Sequence, residues 1–192
     1  MAFWPGITMA AVKPSGAYSS PIKPSPTYLF ETARLGFRCF TGADEVLVYQ
    51  LNSHPQVLYY LHELPVSPEQ ALATLHNSLL AQYRAYGYGR WAVYIKASHA
   101  FIGWCGLKYR PERKETDLGY RFLPEYWGQG YATEAARACI AYGFTHYHLA
   151  RITARAHIEN IASLKVLENC GMQYVQQETA EGVPVKLFEI FP

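Results

Sequence analysis

The sequence predicts an α/β domain in which short strands are interleaved with amphipathic helices. Three observations carry this expectation. Half of the 192 residues are apolar and 15% are aromatic, enough for one sizeable core in one domain. Some segments, rich in aromatic and β-branched residues, have a two-residue period, while others repeat at i, i+3, i+4 and i+7. The two kinds of segment are mixed along the chain, giving about seven strands and about four helices.

From Thr32 to Phe40, Leu35, Phe37 and Cys39 alternate with Arg34, Gly36 and Arg38, as in a half-buried strand. Val46, Leu47, Gln50 and Leu51 have helical spacing, so a short helix is expected over Ala43 to Leu51, stopping before His54-Pro55. Ser67, Pro68 and Gln70 form an S-x-x-Q capping box. The stripe Leu72, Leu75, Leu79, Tyr83 and Tyr86 continues from it to a stop at Gly87. Trp91 to Ile95 and Ala100 to Tyr109 read as a hairpin turning at Ala97-Ser98-His99. The strand Thr116 to Phe122 places Leu118, Tyr120 and Phe122 on one face and Asp117, Gly119 and Arg121 on the other. After Trp127-Gly128-Gln129-Gly130 comes the clearest helix, with Ala132, Ala135, Ala136, Cys139, Ile140, Gly143, Phe144 and Tyr147 along one side. Ala150 to Ile158 is a strand, and Ala162 to Cys170 a helix ended by Gly171. Met172 to Gln177 and Val185 to Phe191 close the chain as strands around Glu181-Gly182.

The formal charge is +2, from 17 basic and 15 acidic residues. Residues 1–30 hold Lys13 and Lys23 with no acid, together with Pro5, Pro14, Pro21, Pro24 and Pro26. Residues 1–30 are therefore expected to form an extended or disordered arm, and residues 31–192 a single charge-balanced domain. A neutral body argues against nucleic acid or a membrane surface as partner. The chain has neither a secretory pattern nor a long apolar run, so a soluble cytoplasmic protein is expected. Cys39, Cys105, Cys139 and Cys170 are widely separated among apolar residues, as reduced core thiols would be. No HExxH occurs, and His146 with His148 would not share a helix face, so no metal is expected.

The chemically informative segment is the strand, WGQGYAT and the helix after it. Two glycines let backbone N–H groups converge, and a helix start adds unpaired donors and the positive dipole end. An anionic phosphate suits that geometry, although a glycine-rich turn without a ligand has the same sequence. No Lys follows Gly130 as in a Walker loop, and Thr133 stands where a dinucleotide fingerprint needs Gly or Ala.

The run GYRFLPEYWGQGYATEAARACIAYGF, followed by ARITARAHIENIASLKVLENCGMQYV, resembles the GNAT superfamily of N-acetyltransferases, in particular the branch of ribosomal-protein N-terminal acetyltransferases. The resemblance spans residues 31–191. It implies a mixed, mostly antiparallel sheet, splayed between its fourth and fifth strands, with acetyl-CoA as co-substrate in the cleft. Transferred residue by residue, it makes Gly128, Gln129, Gly130, Tyr131, Ala132 and Thr133 the pyrophosphate loop. Trp127 departs from the family's Arg or Gln and is assigned packing. The backbone of Phe122 and Leu123 would pair with the pantetheine arm and polarise the thioester. Asn160 would hold a pantetheine amide and Ser163 would lie near the thiol; helix capping is the alternative for both, equal in weight for Ser163 and weaker for Asn160. Leu167 stands where many relatives place a tyrosine acid, which leaves Ser163 or a water to protonate the thiolate.

The resemblance also implies that an ammonium acceptor must lose a proton, with Asp117 at the family's acidic strand position as base. Glu115 and His157 are the other candidates, and a solvated strand residue is the plain alternative for either carboxylate. Glu134, in the first helical turn, suits a structural role. Tyr59, Tyr60 and Glu63 fall where the family borders its acceptor pocket. The expected acceptor is a primary amine, on a peptide or protein N-terminus or a small amino compound, used by a monomer or homodimer. The competing expectation is a catalytically silent acetyl-CoA sensor or scaffold of the same fold.

Overall fold

The computed structural model describes residues 27–180 and 182–192. The expected N-terminal arm falls largely on residues 1–26, outside the described residues, as does Glu181 of the last turn. Along the chain run β1 (Phe30–Glu31), β2 (Leu35–Arg38), α1 (Glu45–Asn52), α2 (Pro55–Leu58), α3 (Pro68–Thr74), α4 (Leu80–Tyr86), β3 (Arg90–Ile95), β4 (Ala100–Arg110) and β5 (Glu115–Phe122). They are followed by α5 (Tyr131–Tyr147), β6 (Ile152–His157), α6 (Ile161–Asn169), β7 (Gln173–Ala180) and β8 (Val183–Ile190).

The strands form one sheet of eight in the order β1-β2-β3-β4-β5-β6-β8-β7. One more strand is present than the sequence pattern shows, because β1 has only two residues. Every neighbouring pair is antiparallel except β5 with β6, which are parallel. That pair meets only at Asp117 with Thr153 and Leu118 with Ala154. Beyond Leu118 the strands separate, so the fork expected between the fourth and fifth strands lies between β5 and β6.

Side-chain alternation divides the core into two layers. Leu35, Phe37, Trp91, Cys105, Leu107 and Leu118 pack with α5 and α6 residues such as Ala136, Cys139 and Leu164. Phe40, Ala92, Tyr94 and Trp104 face Val48, Leu51, Ala71 and Leu75 from α1, α3 and the turn after it. Burial of these apolar side chains is the main force holding helices to both faces. Tyr120 and Phe122 belong to the α5 and α6 face, and Asp117, Gly119 and Arg121 to the opposite one.

Two local expectations are corrected, the buried stripe after Ser67 and the setting of Cys39. The helix after Ser67 has the capping box, with Ser67 Oγ accepting from Gln70 N and Gln70 accepting from Ser67 N. A π-helical turn at Leu75–Leu79 interrupts it. Ala71 is buried while Leu72 is 38% exposed. The first helix stops before His54-Pro55 as expected, and Pro55 then starts α2, a further short helix in which its missing N–H costs nothing. Finally, Cys39 is exposed rather than a core thiol.

Candidate active site

The fork leaves one edge of β5 open. Leu123 N donates to Ile102 O at 2.9 Å, so by ladder alternation Arg121 also turns its backbone groups toward β4. Tyr120 and Phe122 therefore direct theirs into the fork. This corrects the expectation for Leu123, whose carbonyl is also taken, by Tyr126 N at 3.0 Å. Phe122 O accepts from Trp127 Nε1 at 2.7 Å. Trp127 thus secures the strand end to the loop, and Phe122 N–H is the donor left facing the opening.

The open edge leads to the glycine loop. Gly128 has φ 72° and Gly130 φ 80°, left-handed conformations that carry little penalty only without a Cβ. Gly130 caps α5 with no side-chain bond of its own. Among the described residues, no N–H from 128 to 133 donates to a protein acceptor. These donors and the start of a 17-residue helix are suited to a diphosphate.

The loop also has a cation beside it. Arg34 Nη1 donates to Gln129 O at 3.0 Å and Nε to Glu134 Oε2 at 2.6 Å, and its guanidinium lies 4.4 Å from the Tyr131 ring centroid. Thr32 Oγ1 bonds the other Glu134 oxygen at 2.5 Å. Burial raises the Glu134 carboxyl, but bonds from Thr32 and Arg34 outweigh it and hold the group below its ordinary value. Glu134 is thus the structural tie expected. A hollow of about 610 Å³ opens here, bounded by Arg34, Gly130, Thr133 and Arg137.

On the α6 side, Asn160 Oδ1 accepts from Ser163 N at 3.0 Å, so the asparagine caps the helix. Ser163 Oγ lies 2.8 Å from the Tyr120 hydroxyl, which also approaches Ser163 O at 3.2 Å. Burial pushes the Tyr120 phenol well above its ordinary range. It therefore acts as a neutral hydrogen-bonding group through the physiological range.

Across the sheet, the two strand carboxylates are engaged. Arg90 Nη2 contacts Asp117 Oδ2 at 2.6 Å and Arg110 Nε contacts the same oxygen at 3.6 Å. Arg90 crosses over Gly119, where a Cβ would collide with the guanidinium. Glu115 Oε1 is 2.5 Å from Arg155 Nη1, and Arg155 Nε reaches Glu178 at 2.6 Å. Tyr60, His62 and Glu63 come together with His157 and Arg121. The His62 and Tyr60 rings lie 5.1 and 5.8 Å from that of His157, and Glu63 Oε1 is 2.7 Å from Arg121 Nη2. Tyr59 stands apart at 70% exposure, touching Tyr60 edge-on.

The fork, its open strand edge and the N–H cluster occur within the segment matched by the "Acetyltransferase (GNAT) domain" family, residues 34–173. The chain belongs to the GNAT acetyltransferase family. It is 32% identical over 146 residues to "Uncharacterized N-acetyltransferase p20" of Bacillus licheniformis, spanning 74% of this chain and 80% of that one. It is 29% identical over 167 residues to "FsC-acetyl coenzyme A-N(2)-transacetylase" of Aspergillus fumigatus, spanning 81% of this chain and 68% of that one. A GNAT-family acetyltransferase crystal structure from Bacillus anthracis, 26% identical, superposes with a TM-score of 0.71 over 84% of this chain and 96% of that one.

Within this GNAT domain, sequence reasoning missed Arg34, Arg90, Tyr120 and Arg121 as site groups. Tyr120 and Arg121 had a usable signal, since strand alternation already put them on opposite faces of the strand that enters the glycine loop. Arg34 had none: its approach to Gln129 spans 95 positions. Composition gave no sign of the arginine beside the loop.

Proposed function

We propose that this protein transfers the acetyl group of acetyl-CoA to a primary amine, by direct attack in a ternary complex. The observation that supports it most is the continuous donor track: the strand edge at Tyr120 and Phe122 opens at the fork and ends at the N–H cluster of residues 128–133. When bound, acetyl-CoA supplies an activated thioester carbon and a thiol leaving group.

Gly128 to Thr133 would receive the pyrophosphate through backbone N–H groups, with Arg34 adding charge. Asn160 keeps its amide nitrogen available for a pantetheine carbonyl while its oxygen caps α6. Phe122 N–H would face the thioester oxygen, where a preorganised donor can lower a barrier by about 3 kcal/mol. Asp117 would take the proton from the acceptor ammonium, with Arg90 Nη2 held on its Oδ2 at 2.6 Å. Ser163 would return a proton to the departing thiolate. If the Tyr120 phenol donates to Ser163 Oγ, the serine proton is free to point elsewhere and the serine is the better donor. Tyr60 and Glu63 would border the acceptor, with Tyr59 outside them. The four free cysteines suit a reducing cytoplasm, where the proposal places the reaction.

The test is incubation of the full chain with acetyl-CoA and a panel of amines, amino acids and peptides, following free thiol. Thermal stabilisation by acetyl-CoA and thiol release with at least one acceptor are expected. Stabilisation without release from any acceptor would reduce the chain to a binding role, and no stabilisation would remove the site.

A further inference from the structure

Arg121 has partners of two different kinds. Its Nη1 donates to Asn52 Oδ1 at 2.7 Å and its Nη2 to Glu63 Oε1 at 2.7 Å, while the guanidinium lies 5.3 Å from the Trp104 ring centroid. Asn52 and Trp104 are buried and belong to α1 and β4, so they fix the guanidinium. The Glu63 side chain is 46% exposed against 18% for Arg121. It follows His62, which has φ 53°, in the irregular segment before α3. A cation anchored in the frame is thus completed by a carboxylate from a solvent-facing loop.

Its position matters for chemistry. Arg121 lies between Tyr120 and Phe122, whose backbone lines the fork, and directs its side chain to the face opposite α5. On the same strand face Asp117 is paired with Arg90 and Arg110, and Glu115 with Arg155, which also holds Glu178. Asp117 and Glu115, the carboxylates that share the β5 face with Arg121, are thus already paired with arginines. An acceptor carboxylate would meet a fixed guanidinium with a charge-assisted donor at Nη2.

We propose that the acceptor is amino-acid-like, a primary amine with a carboxylate a few bonds away, and that this carboxylate replaces Glu63 on Arg121 Nη2 while Asn52 retains Nη1. Glu63 is then an internal stand-in for the ligand's carboxylate, and Tyr60, His62 and His157 form the rim. This inference rests on the N-acetyltransferase reading and narrows its substrate.

The experiment uses the full chain with acetyl-CoA and matched acceptors: α-amino acids and their carboxamides, peptides starting with Asp or Glu and with Asn or Gln, and a diamine. A preference for the acids of roughly tenfold to a hundredfold in kcat/KM is expected, the range one charge-assisted hydrogen bond supports. Free amino acids against acidic peptides separates the two sources of the carboxylate. Arg121→Gln should erase the preference through KM. Glu63→Gln, at an exposed site, should lower KM for the acids more than for the amides. Equal use of acid and amide, a preference that survives Arg121→Gln, or a favoured diamine whose KM rises in Glu63→Gln would each overturn the proposal. Should no amine release thiol, the transferase reading fails separately. Calorimetric titration with an N-acetyl amino acid and its amide then decides: acid-selective binding lost in Arg121→Gln upholds the carboxylate site, and equal binding refutes it.

Discussion

Asp117 and Ser163 lie on opposite faces of the sheet, and different substitutions isolate them. Asp117→Asn leaves Arg90 and Arg110 without their shared oxygen charge. Since removing one partner of a buried ion pair costs about 3–5 kcal/mol, a lower melting temperature is expected along with a slower reaction. Stability alone does not establish a base, so the deciding measurement is the pH dependence of rate. If Asp117 takes the ammonium proton, the deficit is largest at low pH, where free amine is scarce, and falls within the ~10²–10⁴-fold range of general base catalysis. A deficit equal at every pH would assign Asp117 a purely structural role. Ser163→Ala is milder structurally, because Asn160 caps α6 through the Ser163 backbone N–H, which alanine retains. Its expected signature is a reduced kcat with acetyl-CoA affinity nearly unchanged, and an unchanged kcat would pass the proton to water.

The glycine loop and the two-part helix show what patterns convey about elements. Gly128 and Gly130 were legible because a turn entering a helix needs left-handed backbone at fixed places. The π-helical turn was not, nor was the burial of Ala71 in place of Leu72, which follows from packing on β3 and β4. The fork was equally silent in local periodicity: Gly119, Tyr120 and Arg121 have the same alternation whether or not β6 continues beside them, and only the family resemblance supplied it. β1 was too short for any period to show. Gly130→Val tests the loop directly. At φ 80° a β-branched residue pays roughly 1–2 kcal/mol or more of backbone strain, and its Cβ would stand 3.5 Å from Arg34 Nη2. Acetyl-CoA stabilisation in a thermal-shift assay should disappear. In Gly128→Ala, where nothing lies within 4 Å of the added Cβ, the affinity should fall less. Retained affinity in Gly130→Val would displace the pyrophosphate site.

For the whole molecule, composition showed a charge-balanced body but not how its charges pair, because the pairs join distant segments. Thr32 and Arg34 hold Glu134 about a hundred positions away, and Arg155 holds Glu115 and Glu178. Asp44 is held locally, by Arg38 at 2.7 and 2.8 Å and by the Thr41 N–H at 2.6 Å. Burial alone would raise Asp44, but these bonds outweigh it; the Arg155 bond does the same for Glu178 as its leading cause. Asp44, Glu134 and Glu178 therefore titrate below their ordinary values of 3.8, 4.5 and 4.5. A carboxyl depressed by folding stabilises the native state fully above its unfolded value and loses that contribution as pH falls through the folded one. The melting temperature should accordingly show no slope from these groups between about pH 5.5 and 7, and should decline below about pH 4.5. Salt should weaken the Glu134 share most, since the Arg34 side chain is 46% exposed. Asp44, more enclosed, should retain its share, so Asp44→Asn should lower stability at pH 7 and flatten the acid decline. An acid slope identical to that of the unsubstituted chain would show that the Arg38 and Thr41 clasp does not couple folding to protons.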